Sequence, residues 1–391
     1  MNINHSYIIL SGFFRFDYRE VNRGILSSFS NWKNRINNGE YKATFDYLNS
    51  AYYDNYIQNI FPEIRDERIA EDLSDRFLNH LTHKAFSEKE VLADCVIREK
   101  QVQFKISFLD IYLFPHNRGV FSIKIEPQSQ SVGIEPADFS LFSSAIRLLT
   151  HSFTSESKTY TWSSFIDEYI MQWIPNAEWK VFTPQLKAYQ MVELQDGLSE
   201  KEQKELLYDL GNFSPLNSAK GEGNFAPSHA YFQEQMEQGH ISVFRNWSAL
   251  CLFDSFTRVS FGNPDKFQSW EFDYFNIYVH CLYVKFFMYT TNSKLSDVTQ
   301  VGKETQLIRD EFIEFINDYH INHVSYKFLP NVLLKKINAA LDIQGEVQTM
   351  EVKIQRINEQ FQEKRESTTN LVLMTITFMS VISVIYDVSQ W

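Results

Sequence analysis

Cysteine is scarce in this chain, and its placement excludes several kinds of site. The 391 residues include three cysteines, Cys95, Cys251 and Cys281, which lie far apart within apolar or aromatic segments. Such spacing indicates neither a disulfide framework nor a zinc knuckle, so we interpret all three as reduced, buried thiols. Cys95 and Cys251 have no histidine close in sequence that could activate them as nucleophiles, and His280 beside Cys281 is a single histidine without a third partner. With no other catalytic constellation in the sequence, we expect a protein that is not an enzyme.

The chain also has fewer basic residues than acidic ones, 37 against 49. The net charge is -12 and the sequence pI is near 5.4. Binding to nucleic acid depends on clustered Lys and Arg that displace counterions from phosphates, so we expect no direct nucleic-acid partner. The N-terminus has no basic region followed by a long apolar stretch, and we therefore expect no cleaved secretory signal and a cytoplasmic location for the bulk of the chain.

The periodicity of apolar residues predicts an α+β domain, a mixed sheet with surrounding helices. Alternation over residues 102–125, interrupted by the turn-forming segment 115–119, predicts a β-hairpin. An apolar run at 7–16 predicts a buried strand, and Ser199 with Glu202 forms a capping box that starts a helix. The high aromatic content of 16% indicates an aromatic-rich core.

The C-terminal third predicts one long helix. After Pro330 no further proline occurs, and Gly345 alone interrupts a helical sequence that runs to about Tyr386. Six apolar residues in it recur at alternating spacings of four and three: Ile343, Val347, Met350, Ile354, Ile357 and Phe361. This pattern is typical of a coiled-coil seam, so we expect a stalk helix that joins the chain into a homo-oligomer.

The end of this helix is predicted to cross a membrane. No charged residue lies between Ser367 and Tyr386, and basic residues precede the segment but do not follow it. We therefore expect a cytoplasmic domain at 1–329, a stalk helix at 330–366 and a transmembrane segment at 367–388. Five residues near one stripe form the predicted pore lining: Asn370, Thr377, Ser380, Val384 and Asp387. Hydrogen bonding between helices is the alternative role of this stripe, and Asp387 could simply mark the end of the span.

Residues of this C-terminal region resemble the CorA family of divalent-cation channels. The resemblance rests on Arg356–Gln360 before the membrane segment and on Ile385–Tyr386 at its end, where the family continues with a Gly-Met-Asn signature. This chain has Asp387–Ser389 instead and stops at Trp391, before the family's second membrane helix. The departure puts magnesium selectivity in question. It leaves two possibilities, a protein that spans the membrane once and a truncated sequence.

The resemblance implies a function and partners. It implies a pentamer in the inner cell membrane, with a divalent cation as the transported ion. Divergent CorA-like proteins without the signature resemble membrane effectors of type III CRISPR antiviral defence, which implies a channel or membrane-permeabilising effector gated by a small nucleotide second messenger in the cytoplasmic domain. The alternatives are a divalent-cation transporter of the CorA family and a membrane-tethered scaffold.

Several short motifs could bind a metal or an anion, although each has a simpler explanation. His80 with His83, and Asp318 with His320 and His323, have spacings that could share a helix face, but we expect no metal site from so few ligands. The loop at 220–223 lacks the Lys-Ser/Thr ending of a phosphate-binding loop, and the turn at 116–119 is explained equally well by turn chemistry. The ligand-binding residues therefore stay open.

Overall fold

The structure is a computed structural model that describes residues 2–18, 31–34, 42–60, 78–128, 135–174, 176–262, 267–297 and 302–389, without the side chains of 42–46, 267–268 and 381–389. The chain divides into two units. The first comprises Met1–Phe287 and Asp318–Ile343, and the second comprises Met288–Asn317 and Gln344–Trp391. The segment 330–343 therefore groups with the sheet, which differs from the predicted division at residue 330.

The elements follow one another along the chain in a mixed order. The strands are β1 (Ile3–Arg15), β2 (Trp32–Asn34), β3 (Asn79–His83), β4 (Val91–Ile97), β5 (Lys100–Phe114), β6 (Arg118–Gln128), β7 (Ser152–Ser155), β8 (Lys158–Thr161), β9 (Lys187–Leu194), β10 (His240–Phe244), β11 (Trp247–Cys251) and β12 (Ser255–Phe261). The helices are α1 (Lys42–Ala51), α2 (Asp54–Ile60), α3 (Lys84–Glu88), α4 (Pro136–Ile146), α5 (Trp162–Tyr169), α6 (Glu200–Gly211), α7 (His229–Gly239), α8 (Phe267–Glu271), α9 (Asp273–Asp297), α10 (Lys303–Tyr319), α11 (Phe328–Ala340) and α12 (Ile343–Ser389).

All strands of the first unit belong to one sheet, which confirms the predicted mixed sheet with surrounding helices. Its order is β10-β11-β12-β9-β1-β6-β5-β4-β7-β8, and β2 joins through β3, which pairs with β5. Neighbouring strands among the described residues are antiparallel except β9 and β12, which run parallel. A parallel pair needs a long connection between its strands, and residues 195–254 provide it with two helices and two strands.

The predicted hairpin is confirmed as β5 and β6. His116 and Asn117 in its turn have φ values of 63° and 59°, the left-handed backbone that tight hairpin turns require. The capping box is also confirmed, because the Ser199 hydroxyl accepts from the Glu202 backbone N–H and the Glu202 carboxylate accepts from the Ser199 N–H. The described part of residues 40–81 contains α1, α2 and the start of β3.

Both faces of the sheet are covered by bulky side chains. Helices α4, α5 and α6 pack an apolar layer on one face, with Phe142, Trp162 and Leu207 among its buried residues. On the other face α9 adds aromatic rings, such as Tyr283, which stacks on Phe114 with ring centroids 3.9 Å apart. The aromatic residues thus fill a core, as the composition indicates.

The helix predicted from Pro330 onwards is two helices. Pro330 lies in the first turn of α11, where its missing N–H costs nothing. The chain then breaks at Leu341 and Asp342, because Asp342 has a left-handed φ of 51° that no α-helix contains. Gly345, by contrast, lies inside α12.

The predicted transmembrane helix is wrong. Among the described residues, no helix has both the length and the mean hydropathy that a membrane span requires. The physical reason is composition: between Ser367 and Ser380 seven of fourteen residues are Ser, Thr or Asn, which lower the hydropathy of an uncharged segment. This finding contradicts the segment at 367–388 and the inner-membrane location inferred from it.

Five of the six seam residues lie in the second unit. Val347, Met350, Ile354 and Ile357 are buried within the chain, while Phe361 is half-buried, and Ile343 is buried in the first unit. Hydrogen bonds join the helices of the second unit, as between Arg309 on α10 and Asn358 on α12 at 3.1 Å. Assembly of several chains through the seam stays a prediction.

Replacing Gly119 tests the packing between β1 and β6. Gly119 lies opposite Phe14 in the strand register, and a Cβ at this position would come within 2.1 Å of the Phe14 ring. We expect Gly119→Ala to lower the free energy of unfolding by about 2 kcal/mol, because the ring is buried and must move. Urea denaturation measures this change. Gly302→Ala is the matched control, since a Cβ there meets no atom within 4 Å, and equal stability of the two variants would contradict the prediction.

Candidate functional site

The predicted histidine pairs do not form ligand sets. His80 and His83 lie on strand β3 rather than on a helix. The His80 imidazole lies 3.0 Å from the Asp110 carboxylate and stacks on Tyr112, whereas His83 contacts Trp32 edge-on and burial lowers its pKa to about 4. Both rings are therefore parts of the core.

The other short motifs are also accounted for by the fold. Asp318 is in the last turn of α10, while His320 and His323 follow it in the loop before α11. Gly221 and Gly223 have the positive φ values of an exposed loop. Arg118 is buried after its hairpin turn, where it donates to the His116 carbonyl at 2.6 Å and lies over the Phe287 ring. Among the described residues, no three His, Cys, Asp or Glu side chains cluster as a metal site.

The cysteines are buried, as predicted, and unpaired. Burial raises the pKa of the Cys95 thiol to about 12 and raises the pKa of Cys251 and Cys281 as well. A thiol with a raised pKa is a poor nucleophile.

A pocket of 410 Å³ lies at the end of the sheet where β9 and β12 begin. This volume is in the range of small-molecule sites. Three kinds of residue line it: the charged Arg147 and Asp254; the amides Asn212, Gln235 and Gln238; and the apolar or small residues Gly211, Phe213, Tyr231, Gly239, Cys251, Leu252, Phe253, Ala339 and Ala340. Every one belongs to the first unit.

Three elements bring opposite charges together at this end of the sheet. Arg147 caps the C-terminus of α4, and its carbonyl accepts from the Leu186 N–H, directly before β9. Lys187 is the first residue of β9. Asp254 lies in the turn between β11 and β12, and its carbonyl accepts from the Ala188 N–H at 3.1 Å. The parallel pairing of β9 with β12 therefore fixes all three positions.

The two cations share one carboxylate. The Lys187 ammonium lies 2.7 Å from the Asp254 carboxylate, and the Arg147 guanidinium lies 3.8 Å from its other oxygen. Burial lowers the pKa of both cations, while Asp254 acts in the opposite direction. The charges of Arg147 and Lys285 lower the pKa of Lys187 further, so three cations are close together at this point.

Aromatic rings support these cations. Arg147 lies over the Phe213 ring at 4.1 Å, and Lys187 lies over the Phe253 ring at 3.7 Å. The Tyr278 hydroxyl is buried near this group, since its pKa responds to the charges of Asp254 and Arg147, and it has no hydrogen-bond partner among the described residues. The site thus combines excess positive charge, two phenyl rings and an unsatisfied hydroxyl.

Helix ends at the pocket would favour a cation if their carbonyls were free. Helix α6 ends at Gly211, whose carbonyl accepts from the Ser255 hydroxyl at 2.6 Å. Near the end of α7, the carbonyls of Glu237 and Gln238 accept from the Lys336 ammonium at 3.0 and 2.8 Å. Because these carbonyls already have donors, the guanidinium of Arg147 dominates the charge that a ligand meets.

A second depression of 1060 Å³ lies beside the start of α6. Its charged lining mixes Glu200, Glu202 and Glu205 with Lys201, Lys204 and Lys220. Several of these groups already pair with each other, as Lys204 does with Glu200 at 2.6 Å. Balanced, exposed pairs of this kind are typical of a solvated surface.

Sequence reasoning did not find Arg147, Lys187 or Asp254. The three are separated by 40 and 67 positions in the chain, so no local motif contains them. The available signal is weak: Lys187 and Asp254 each stand where an apolar strand begins.

No family model, curated protein or solved structure matches this chain. The resemblance to the CorA family thus finds no support outside the residues that suggested it. With the membrane helix overturned, the predicted channel, its place in CRISPR defence and its nucleotide binding are also without support. The predicted divalent cation and nucleotide ligand stay untested.

Asp273, at the start of α9, is another buried group whose pKa is shifted far from its ordinary value. Its side chain is buried near Tyr52 and Tyr56, whose pKa values its charge raises. Burial raises the pKa of Asp273 to about 7, and Lys327 offsets part of the effect. Neither of the two pockets described above includes it among its lining residues, so we treat it as a determinant of stability.

Asp273 predicts a pH dependence of stability. Its folded-state pKa exceeds the ordinary value of 3.8, so the native protein binds the proton more tightly than the unfolded chain. This contribution to stability is complete below pH 4 and is lost as pH rises to about 7. We expect Asp273→Asn to raise the free energy of unfolding at pH 8 by about 2 kcal/mol and to leave it nearly unchanged at pH 4.

Urea denaturation at pH 4, 6 and 8 measures this difference. Asp196→Asn is the control, because Asp196 is exposed in a loop. A difference between wild type and Asp273→Asn that stays constant over this pH range would contradict the prediction.

Proposed function

We propose that the first unit is a binding module for a small organic anion, one that carries a phosphate or carboxylate group into the pocket at Arg147. The observation that carries the proposal is a shortage of negative charge. Two largely buried cations, with side-chain exposures of 10% and 13%, share one carboxylate that is itself 47% exposed. Burying a cation without a matching negative charge costs free energy, and a bound anion removes that cost.

A buried cation elsewhere in the same sheet shows the contrast. Lys124, buried on β6, contacts two carboxylates, Glu126 at 2.6 Å and Glu271 at 2.7 Å. That cation contacts two carboxylates, whereas Arg147 and Lys187 share one. Their other acceptors are neutral oxygens, the Gln185 amide for Arg147 and the Phe253 carbonyl for Lys187. The contrast within one sheet supports a ligand-binding role for the Arg147 pocket.

The lining also indicates what else the ligand carries. Phe213, Phe253 and Tyr231 offer ring faces, and Asn212, Gln235 and Gln238 offer amides. A pocket of this kind suits a molecule with an anionic group and a planar or apolar body. The pocket lining includes no histidine, and its thiol at Cys251 has a raised pKa, so binding rather than nucleophilic catalysis is proposed.

The hypotheses of a channel, a transporter and a membrane-tethered scaffold all require the membrane helix, which the structure contradicts. They are not proposed here. The pocket at Arg147 supports the part of the earlier hypothesis in which the first unit binds a small ligand.

Removing the charge of Arg147 tests the proposal. We expect phenyl phosphate and benzoate to bind the wild-type chain, and Arg147→Gln to weaken binding by a factor of about 10 to 100, the value of one charge-assisted hydrogen bond. Isothermal titration calorimetry measures the affinities, and benzyl alcohol serves as the neutral probe. Lys100→Gln, an exposed cation at the start of β5, is the matched control and should bind like wild type. If no anion binds, or if Arg147→Gln binds as well as wild type, the proposal fails.

Asp254 predicts the opposite effect. Its carboxylate occupies the cations in the free protein, so an incoming anion must compete with it. We expect Asp254→Asn to bind inorganic phosphate about 10-fold more tightly, because the amide keeps the shape and loses the competing charge. Titration calorimetry with phosphate checks this, with Asp196→Asn as the control. Weaker phosphate binding by Asp254→Asn would show that the carboxylate positions the cations rather than competing for them.

A further inference from the structure

The described part of α12 beyond residue 370 exposes an unusual concentration of apolar side chains. Seven of the nine residues from 371 to 379 are large, apolar and exposed by half or more: Leu371, Val372, Leu373, Met374, Ile376, Phe378 and Met379. At roughly 100° per residue, six of these occupy an arc of about 200°, with Leu373 on the other side among Asn370, Thr377 and Ser380. We call this arc the apolar face.

The hydroxyl groups of the same segment are turned inward. Thr375 donates to the Leu371 carbonyl at 2.8 Å, Thr377 to Leu373 at 2.8 Å, and Ser380 to Ile376 at 2.9 Å. Each hydroxyl satisfies its donor within the helix and needs no water for that bond. Covering the segment therefore costs less than its Ser and Thr content implies.

The geometry points to a second copy of this chain as the occupant of the apolar face, in a homodimer formed by two α12 helices. At roughly 100 Å² for each exposed side chain, the face presents about 600 Å². That is the upper end of what a monomer leaves uncovered, and it approaches the roughly 800 Å² that each partner contributes to a standard interface.

Charge also fits a second copy. The segment before the face, residues 363–366, carries two acidic and two basic residues, and no charged residue follows from 367 to 386. Two identical helices therefore meet without net repulsion, although the whole chain has a charge of -12. A partner of opposite charge would find no charge on the face to recognise.

Charges placed on the apolar face test this inference with the full chain. The double variant Leu371→Glu/Met379→Glu introduces carboxylates near the middle of the arc, and Thr377→Glu places one on the opposite side. Sedimentation velocity over a 100-fold range of protein concentration measures association. We expect dimers for wild type and Thr377→Glu, and at least a 10-fold weaker dimer for the double variant.

Two controls separate a loss of association from a loss of folding and test for direct contact between the two helices. A melt of the first unit followed by tryptophan fluorescence should be the same in all three chains, which separates lost association from lost folding. Thr375→Cys should form a disulfide-linked dimer on mild oxidation if the helices run parallel, since the native cysteines are buried. The inference is overturned if wild type stays monomeric, if the double variant associates equally well, or if monomeric wild type instead floats with phosphatidylglycerol vesicles and the double variant does not.

Discussion

The parallel pairing of β9 with β12 is the constraint from which the pocket follows. Two parallel neighbours cannot be joined by a tight turn, so the chain must run from Leu194 back to the opposite end of β9, where β12 begins at Ser255. The connection contributes the ends of α6 and α7 and the β11–β12 turn, which are most of the pocket wall. It also places Asp254 beside Lys187, because the register pairs Ser255 with Ala188. The position of the proposed binding pocket at these strand ends thus follows from the strand topology and requires no local sequence motif.

Much of this fold could be predicted from the sequence where the determining interactions are local. Alternation in residues 102–125 predicts β5 and β6 because each strand has side chains on two faces. The capping box at Ser199 predicts the start of α6 because the interaction spans three residues. The break at Asp342 could not be predicted in this way, since neither Gly nor Pro marks the position where the backbone becomes left-handed. The site was also missed, because Arg147, Lys187 and Asp254 meet through long-range strand pairing.

The incorrect membrane prediction has a physical lesson about uncharged segments. Absence of charge from Ser367 to Tyr386 is necessary for a span, but it is not sufficient when half of the first fourteen residues carry hydroxyl or amide groups. The hydroxyls complicate the assessment further, because those of Thr375, Thr377 and Ser380 bond within the helix. Hydropathy scales count such groups as polar wherever they bond. Residues 367–380, the part whose side chains the structure describes, are therefore less apolar than a membrane span requires and less polar than an ordinary solvated surface.

Compensation of charge distinguishes a structural ion pair from a binding site in this sheet. Lys124 is buried and contacts two partly exposed carboxylates, so its charge is compensated and its removal would mainly affect stability. At Arg147 the carboxylate that pairs with it among the described residues, Asp254, is about half-exposed, and it also pairs with Lys187. Water can stabilise Asp254 when its side chain turns outward, but it cannot reach the two cations as readily, because they are largely buried. This difference in exposure supports the proposed exchange of Asp254 for a ligand anion, because leaving the ion pair costs the exposed carboxylate less than it costs the buried cations.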